Sequence, residues 1–206
     1  MYKNHGIACQ EYSMQSPEKL SDTFTMDLLS IRQSFKIVGT ELRHVRRHGV
    51  GSYFLFGYKR NGYKYIQSNK GLLYGQSRAI INSNKSKDDK AIELMKLYLK
   101  INGFSLAKAG FACQLVAGLV GCMDSHNIKY YNVNPSSLEY NKDVKSERGR
   151  ETNRKKLTDY IELCHSIGTE TLWNRWCDNL AAKDKYWKDG NHVSQAHINY
   201  LKGETV

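Results

Sequence analysis

The chain has 206 residues, of which 40% are hydrophobic and 25% are charged, so it can form the core of one domain of ordinary size. A formal net charge of +11 favours a polyanionic partner, nucleic acid first, with a generically basic protein as the alternative. No apolar run approaches the roughly 18 residues of a membrane span, and the polar start has no signal-peptide pattern, so we expect a cytoplasmic protein without a membrane partner.

The five cysteines are scattered along the chain and odd in number, which is typical of reduced thiols rather than of a disulfide framework. None has a close partner at metal-ligand spacing, which argues against a zinc site and against a four-cysteine iron–sulfur cluster. The sequence also lacks a Gly-rich loop ending in Gly-Lys-Ser/Thr, so a nucleoside triphosphatase has no support. We therefore expect no metal and no cofactor.

The N-terminal quarter is predicted to contain an irregular arm, a helix and a basic cluster. Residues 1–17 show no periodicity, whereas apolar residues over 16–35 recur at three- and four-residue steps, as in an amphipathic helix. The basic cluster that follows contains Arg43, Arg46 and Arg47 close to a glycine. Such a cluster suits phosphate contact, and a solvated loop is an equally good interpretation.

Residues 50–66 have a different composition, with aromatic residues on both sides of Asn61-Gly62. An Asn-Gly pair between two such runs is the strongest short signal for a hairpin turn. We therefore predict a small β-hairpin over residues 50–66. Its basic tip and tyrosine-rich strands suit stacking on nucleic acid, but packing of a small sheet on helices is the favoured interpretation.

Helical periodicity dominates the rest of the chain. The expected helices cover about 71–81, 88–100, 107–120, 155–165, 169–182 and 193–201. A polar stretch over 132–150 separates two of them, and a second basic region over 142–156 suits either nucleic acid or a solvated helix face. The residues expected in the core are Leu94, Leu97, Phe111, Leu115, Ile161 and Trp173.

The stretch from Ile101 to Tyr131 carries the strongest functional signal. It links the helix that precedes Gly103 to a nearly uninterrupted apolar segment, whose Ala, Gly and Leu content favours a buried helix. A tight Gly-bearing turn between two helices can present backbone N–H groups to a nucleic-acid phosphate. Asp124 follows the apolar segment, where it can cap a new helix and still face a cleft.

This stretch resembles the helix-hairpin-helix DNA glycosylase superfamily, and its style is similar to that of small phage-encoded relatives. In that family an apolar-Pro-Gly-x-Gly-x-x-x-Ala hairpin is followed by an essential aspartate in a pattern like Val-Asp-Thr-His. Here Ile101-Asn102-Gly103-Phe104-Ser105 corresponds to the hairpin. Met123-Asp124-Ser125-His126 corresponds to the aspartate motif, at about the separation that the family shows.

The stretch departs from the family pattern in three places. Asn102 and Ser105 replace the proline and the second glycine. Lyase-active members have a lysine where Ala107 stands here, and Lys108 lies one place further along. Because one residue is a rotation of about 100° on an α-helix, Lys108 is either a phosphate contact or, with a shifted helix register, the nucleophilic amine of a lyase.

The predicted fold is mainly α, a single two-lobed helical domain over residues 1–206 that acts as a monomer. It contains a helix-hairpin-helix core with the aspartate motif at 88–131 and the small β-hairpin at 50–66. The resemblance implies Asp124 as the catalytic carboxylate and Lys108 as a second catalytic candidate. The residues expected to contact DNA are Asn102, Gly103, Phe104, Ser105, Lys108, Arg43, Arg46, Arg47, His126 and Asn127.

The resulting hypothesis is a DNA N-glycosylase that removes a damaged or modified base, as in DNA repair, in the cytoplasm of a phage host if the gene is phage-encoded. Cleaving a base from deoxyribose develops positive charge on the sugar, which a desolvated carboxylate stabilises. The target base must leave the stack to reach that carboxylate. The alternatives are a non-catalytic DNA-binding module and a phage DNA base-modification enzyme on the same scaffold. For Asp124 itself, the alternative to catalysis is a plain helix N-cap, and one carboxylate can serve in both roles.

Overall fold

The computed structural model describes residues 3–33, 35–49 and 57–183. This part of the chain is mainly helical and contains no β-strand, so the prediction of a mainly α fold is confirmed. None of its helices has the combined length and apolar composition that crossing a bilayer requires. The elements are α1 (Lys3–Ser13), α2 (Pro17–Leu29), α3 (Phe35–His48), α4 (Gly57–Ile81), α5 (Lys87–Tyr98), α6 (Leu106–Ala117), α7 (Ser125–Tyr130), a 3-10 helix (Pro135–Leu138), α8 (Glu147–Ile167) and α9 (Thr169–Lys183).

Helix α6 is the most deeply buried element of the described part. Its sequence, LAKAGFACQLVA, is apolar around almost the whole circumference, and nine of its 12 residues are buried. It packs against α1, α2 and α5. Gly118 ends it in a left-handed conformation with φ +64°, which glycine adopts without strain. Because α6 is packed between these three helices, the positions of both of its ends are fixed.

Two apolar clusters pack around α6. The larger joins it mainly to α2, α4, α5 and α8, and the smaller joins it to α1, α2, α3 and α9. All six residues predicted to lie in the core are buried, which confirms that prediction. Burying one large apolar side chain stabilises a fold by roughly 1.5–3 kcal/mol, so these clusters supply most of what holds the helices together.

Residues 99–105 form the turn between α5 and α6. Gly103 has φ +90°, a conformation that side-chain-bearing residues rarely adopt, and it allows the chain to reverse. Phe104 is 1% exposed and anchors the turn in the larger apolar cluster. Ser105 is then the N-cap of α6. The turn that joins α5 to α6 is therefore made by one glycine and one buried aromatic residue.

A lysine from a later loop holds this turn in place. Lys142 donates a hydrogen bond from Nζ to the backbone oxygen of Ile101 at 2.6 Å. Burial lowers the pKa of Lys142 to about 8, against the opposing effect of the nearby Asp143 carboxylate. The turn is thus supported by a cation and by a buried aromatic ring.

The β-hairpin predicted over residues 50–66 is wrong for the part that the structure describes. Residues 57–66 are the first turns of α4, which runs for 25 residues. Residues 50–56 lie outside the described ranges. The helix 71–81 that the sequence predicts is the C-terminal half of the same element.

Packing explains why the Asn61-Gly62 pair does not form a β-turn. Both residues lie inside α4, and Gly62 is buried. A Cβ at this position would overlap the backbone oxygen of Asn102 and press on the side chain of Leu28. The glycine therefore allows α4 to pack closely against the α5–α6 turn and α2. From the sequence alone, a glycine that serves such packing cannot be distinguished from a glycine that serves a hairpin turn.

Two other segments differ from expectation, and a third is not described. The irregular arm predicted at residues 1–17 contains α1, which gains stability by packing on α6 rather than from its own periodicity. Helix α8 begins at Glu147, well before the predicted start near 155, because the Ser146 hydroxyl caps it by accepting a hydrogen bond from the Gly149 N–H at 3.2 Å. The helix predicted at 193–201 lies outside the described residues.

Two glycines of α4 test the contact between this helix and the α5–α6 turn. A methyl group at Gly62 would overlap the Asn102 carbonyl, whereas one at Gly75 meets open space. We expect Gly62→Ala to lower the free energy of unfolding by about 1–3 kcal/mol and Gly75→Ala to raise it by about 0.5–1 kcal/mol. Urea denaturation of both variants measures the difference, and equal effects would contradict the close contact.

Candidate functional site

Asp124 is the N-cap of α7. Its Oδ1 accepts hydrogen bonds from the backbone N–H groups of His126 at 3.1 Å and Asn127 at 2.9 Å, so the capping role foreseen for this residue is observed. The other oxygen, Oδ2, accepts no hydrogen bond from the described residues, and Asp124 is only half-buried. One carboxylate oxygen is therefore fixed by the backbone, and the other is open to an incoming group.

The two residues that flank the acid differ in exposure. Asn127 is fully buried, and its side-chain amide donates to the backbone oxygens of Cys122 at 2.6 Å and Leu172 at 3.3 Å. It thereby ties α7 to α9 and orients the helix that Asp124 caps, which leaves no side-chain contact with DNA in this arrangement. His126 is half-buried beside the acid.

Lys108 lies in the first turn of α6, and its ammonium group is bonded to α2. Nζ lies 2.9 Å from Oδ1 of Asp27 and donates a hydrogen bond to Oγ of Ser30 at 2.7 Å. It also lies 5.1 Å from the centroid of the Phe111 ring. Since 24% of the Lys108 side chain is exposed, the ammonium is held at the edge of the core, between a buried carboxylate and solvent.

Asp27 has no exposed surface, and among the residues that the structure describes none donates a hydrogen bond of suitable geometry to either of its oxygens. The ion pair with Lys108 is therefore its main compensation for lost hydration. Burial raises the pKa of Asp27 to about 6, and the positive charge of Lys108 opposes this increase. Buried carboxylates with so little hydrogen bonding are rare in folded proteins and concentrate at functional sites.

A buried thiol connects these groups to Asp124. The charges of Asp124, Lys108 and Asp27 all act on Cys122, whose pKa burial raises well above its usual value. The thiol is therefore neutral and has the character of a packing residue, not of a nucleophile. Lys108, in the first turn of α6, and Asp124, which follows α6 in the chain, are the two predicted catalytic candidates, and the charges of both act on this thiol.

A second pair of charges lies beside the first. Lys59 of α4 is fully buried and donates from Nζ to the backbone oxygen of Leu29 at 2.7 Å. It interacts electrostatically with Glu41 of α3 and with Lys108. Burial raises the pKa of Glu41 and lowers that of Lys59, so each ion is poorly hydrated. Four helices, α2, α3, α4 and α6, therefore contribute charges to one region.

The turn before α6 exposes three of its four predicted DNA contacts. Asn102, Gly103 and Ser105 are exposed, whereas the Phe104 ring is buried and cannot reach DNA in this arrangement. Although Ser105 is the N-cap, its hydroxyl accepts no capping hydrogen bond. Within the described part of the chain, the first N–H groups of α6 therefore lack the side-chain partner that most helix starts have, which suits them to an anion.

The predicted basic cluster lies on α3. Arg46 donates to both carboxylate oxygens of Asp22 on α2, at 3.1 and 2.6 Å, so it joins two helices. Arg43 donates to the Thr40 hydroxyl at 3.4 Å, and Arg47 is exposed. Among these three arginines, Arg47 is thus the one best placed to meet an external phosphate.

Sequence reasoning did not single out Asp27, Glu41 or Lys59. A signal for Asp27 exists, because it is a lone acid within the apolar segment TFTMDLL of α2. Glu41 and Lys59 have polar neighbours in the sequence, so nothing in their local pattern indicates burial.

No family model, no curated protein and no solved structure matches the chain. What the site does must therefore follow from its own geometry.

The burial of Asp27 predicts a pH dependence of stability. Its pKa is about 6 when folded against an ordinary 3.8, so between these values the folded state binds a proton that the unfolded state has lost. Stability therefore falls as the pH rises through this window, by about 3 kcal/mol in total. Urea denaturation at several pH values between 4 and 7 measures this, and we expect Asp27→Asn to remove the decrease. A difference between variant and wild type that does not change with pH would contradict the buried carboxylate.

Proposed function

We propose that the protein binds DNA through the α5–α6 turn, as a two-lobed helix-hairpin-helix protein, and acts as a DNA N-glycosylase with Asp124 as the catalytic carboxylate. The observation that carries this proposal is the placement of Asp124. Two backbone N–H groups fix Oδ1, while Oδ2 accepts no hydrogen bond from the described residues, and the charges of Asp124 and Lys108 both act on the Cys122 thiol. The net charge of +11 supports a polyanionic substrate.

In this proposal Oδ2 faces the deoxyribose whose base is leaving. The glycosidic bond breaks with its electron pair going to the base, and the sugar becomes positively charged at C1′. A fixed carboxylate stabilises that charge and orients a water, whose oxygen bonds to C1′ while its proton is removed. The departing base gains a proton, so the products are a free base and an abasic site.

The DNA backbone would be held where α6 begins. The exposed turn and the uncapped N–H groups after Ser105 present hydrogen-bond donors and the positive end of a helix dipole. Lys96 and Lys100 are exposed on the last turn of α5 and just after it, and they extend this positive edge. A phosphate next to the flipped nucleotide would bind here, on the strand whose sugar meets Asp124.

A non-catalytic DNA-binding module is the second candidate, and one observation favours it. Asp124 caps α7 through Oδ1, and Lys108 is bonded to Asp27, so each residue also has a structural role. In that case the protein would bind DNA by the same turn and leave every base in place.

A nicking assay on labelled duplexes containing uracil, oxidised bases, alkylated bases or an abasic site tests the proposal. We expect cleavage after alkali on at least one base, and we expect Asp124→Asn to slow base release by at least about a hundredfold. Asparagine is as good an N-cap as aspartate, so this change removes the negative charge and keeps the helix start. Asp124→Asn should therefore bind DNA as the wild type does.

Two results of that assay would decide against catalysis by Asp124. One is a variant that releases base at the wild-type rate. The other is a variant that loses DNA binding while its melting temperature is unchanged, because the carboxylate would then serve binding and not chemistry. Cleavage of no substrate with equal binding by both proteins would favour the DNA-binding module.

A change at Ser105 separates helix stability from DNA binding. We expect Ser105→Asp to raise the free energy of unfolding by about 0.5–1 kcal/mol, because a carboxylate can cap α6 and complement its dipole. The same carboxylate would repel a phosphate, so DNA affinity should fall about tenfold. Ser86→Asp, at the N-cap of α5, is the matched control, since it adds the same charge to a helix start whose cap bond already exists. Equal losses of affinity in the two variants would show that α6 is not the phosphate site.

A further inference from the structure

Tyr130, the last residue of α7, exposes much of an aromatic ring. It is 59% exposed, more than any other large apolar or aromatic residue in the described part of the chain. Arg175 of α9 contacts this ring, with Cζ 3.1 Å from the ring centroid. Tyr131 is its other aromatic neighbour, with ring centroids 4.9 Å apart and an interplanar angle of 84°. One exposed ring is therefore held between a cation and a second ring.

These contacts leave one face of the Tyr130 ring uncovered. An atom 3.1 Å from the centroid cannot lie in the plane of the ring, because it would overlap the ring carbons, so Arg175 covers a face. Cζ of Arg175 is 5.8 Å from the Tyr131 centroid, and together the three distances give a right angle at the Tyr130 centroid. Tyr131 therefore lies beside the edge of the Tyr130 ring, and the exposed surface includes the face opposite Arg175.

Two cations accompany this open face. Arg175 and Lys129 form no ion pair with a carboxylate of the described residues, and Lys129 is exposed next to Tyr130 in the sequence. A guanidinium that stacks on a ring keeps its N–H groups around its rim, where they can donate to a phosphate. An open aromatic face beside positive charge is the combination with which proteins bind single-stranded nucleic acid, the base on the ring and the phosphate on the cations.

The same neighbours make other ligand classes poor partners for the ring. A cation is attracted to an aromatic face, but Arg175 already occupies one face and Lys129 repels a further positive charge. An apolar partner would cover the ring but would desolvate the two cations without pairing them. A nucleotide supplies both a planar ring and a negative charge. In an intact duplex the bases are stacked on one another, so the ligand that fits is an unpaired nucleotide.

We propose that the open face of Tyr130, backed by Arg175, is a stacking platform for an unpaired nucleobase of DNA, with the adjoining phosphate bound by Arg175 and Lys129. This goes beyond the proposed function, because it depends neither on chemistry at Asp124 nor on the α5–α6 turn. It gives the protein a way to bind single-stranded DNA that a fully paired duplex cannot use. Since α7 has six residues and rises by about 1.5 Å per residue, the platform and Asp124 lie at the two ends of one short helix.

Fluorescence anisotropy with three labelled ligands tests the platform. The ligands are a short single strand, the same strand with tetrahydrofuran in place of every nucleoside, and a fully paired duplex. We expect wild type to bind the strand with bases at least about tenfold more tightly than the strand without bases, because the phosphates are the same. Tyr130→Leu should remove this difference and keep the wild-type affinity for the other two ligands. Tyr130→Trp, which retains an aromatic face, should preserve the difference.

Arg175→Gln separates the cation from the ring. We expect it to weaken binding of the single strands with and without bases, and to reduce the slope of log K against log salt concentration by about 0.7. Tyr130→Leu should leave that slope unchanged. Leu72→Ala is the control for losing an exposed apolar side chain, since Leu72 of α4 is 54% exposed, and its affinities should equal those of wild type. Circular dichroism melting of each variant verifies that it is folded.

Two results would overturn the platform. One is a folded Tyr130→Leu that binds the strand with bases as tightly as wild type does. The other is an equal loss of affinity for the strands with and without bases, because the ring would then act on the backbone or on the fold and not on a base.

Photochemical cross-linking tests the same proposal on the wild-type protein. A single strand containing 5-iodouracil forms a covalent bond, on irradiation, with an aromatic ring on which that base stacks. We expect mass spectrometry to find the adduct on Tyr130, and adducts on other residues alone would contradict the platform. Neither measurement depends on base release. A protein without glycosylase activity can therefore still have the platform, and a failed platform leaves the test of Asp124 unaffected.

Discussion

The burial of α6 along nearly its whole length is the constraint on which both halves of the candidate site depend. Its N-terminus follows the α5–α6 turn and carries Lys108, and the chain that leaves its C-terminus leads to Asp124. Small residues make this burial possible, because a Cβ at Gly110 would overlap the ring of Tyr160. The Tyr160 hydroxyl donates to the Gly121 oxygen at 3.0 Å, which fixes the chain just before Asp124. Packing of an apolar helix therefore sets the position of polar groups at its two ends.

The charged groups of the site lower the stability of the fold, because they are removed from water when the protein folds. Removing a carboxylate from water is expensive, and an ion pair repays that cost only in part when few hydrogen bonds accompany it. Asp27 and Lys108 form such a pair, with the Lys59 and Glu41 charges beside them. Replacing buried ion pairs by apolar residues is often stabilising, so a fold selected for stability alone gains little from them.

The sequence predicts the elements whose signal is local. The apolar segment of α6 and the N-cap at Asp124 were both foreseen, and the six core residues are buried as expected. The hairpin predicted over residues 50–66 is wrong where the structure describes it, because residues 57–66 are helical. Gly62 is needed for a close contact with the Asn102 backbone, but in the sequence the Asn61-Gly62 pair has the pattern of a hairpin turn. The arm at 1–17 failed similarly, since α1 is stabilised by α6 from a hundred residues away.

The residues of the candidate site also fall into two groups, those that a local motif predicts and those that only the structure reveals. Asp124 and Lys108 were found from a motif within one stretch, whereas Asp27 comes from a helix far away in the sequence and its importance appears only when its burial is known. Likewise, Asn127 and Phe104 were predicted to contact DNA, and the structure shows that their side chains are buried. Periodicity predicts which apolar residues face the core, but it does not show which polar residues are buried with them.

The central claim is that Asp124 stabilises positive charge at C1′ of a deoxyribose, and it can be tested without knowing the substrate base. Fluorescence anisotropy would compare two duplexes, one with a cationic pyrrolidine in place of the sugar and one with a neutral tetrahydrofuran. A catalyst binds the mimic of its transition state more tightly, so the account predicts that wild type prefers the pyrrolidine by about tenfold or more. It also predicts that Asp124→Asn abolishes this preference and keeps the affinity for tetrahydrofuran. Equal affinity of the wild type for the two duplexes would contradict the account.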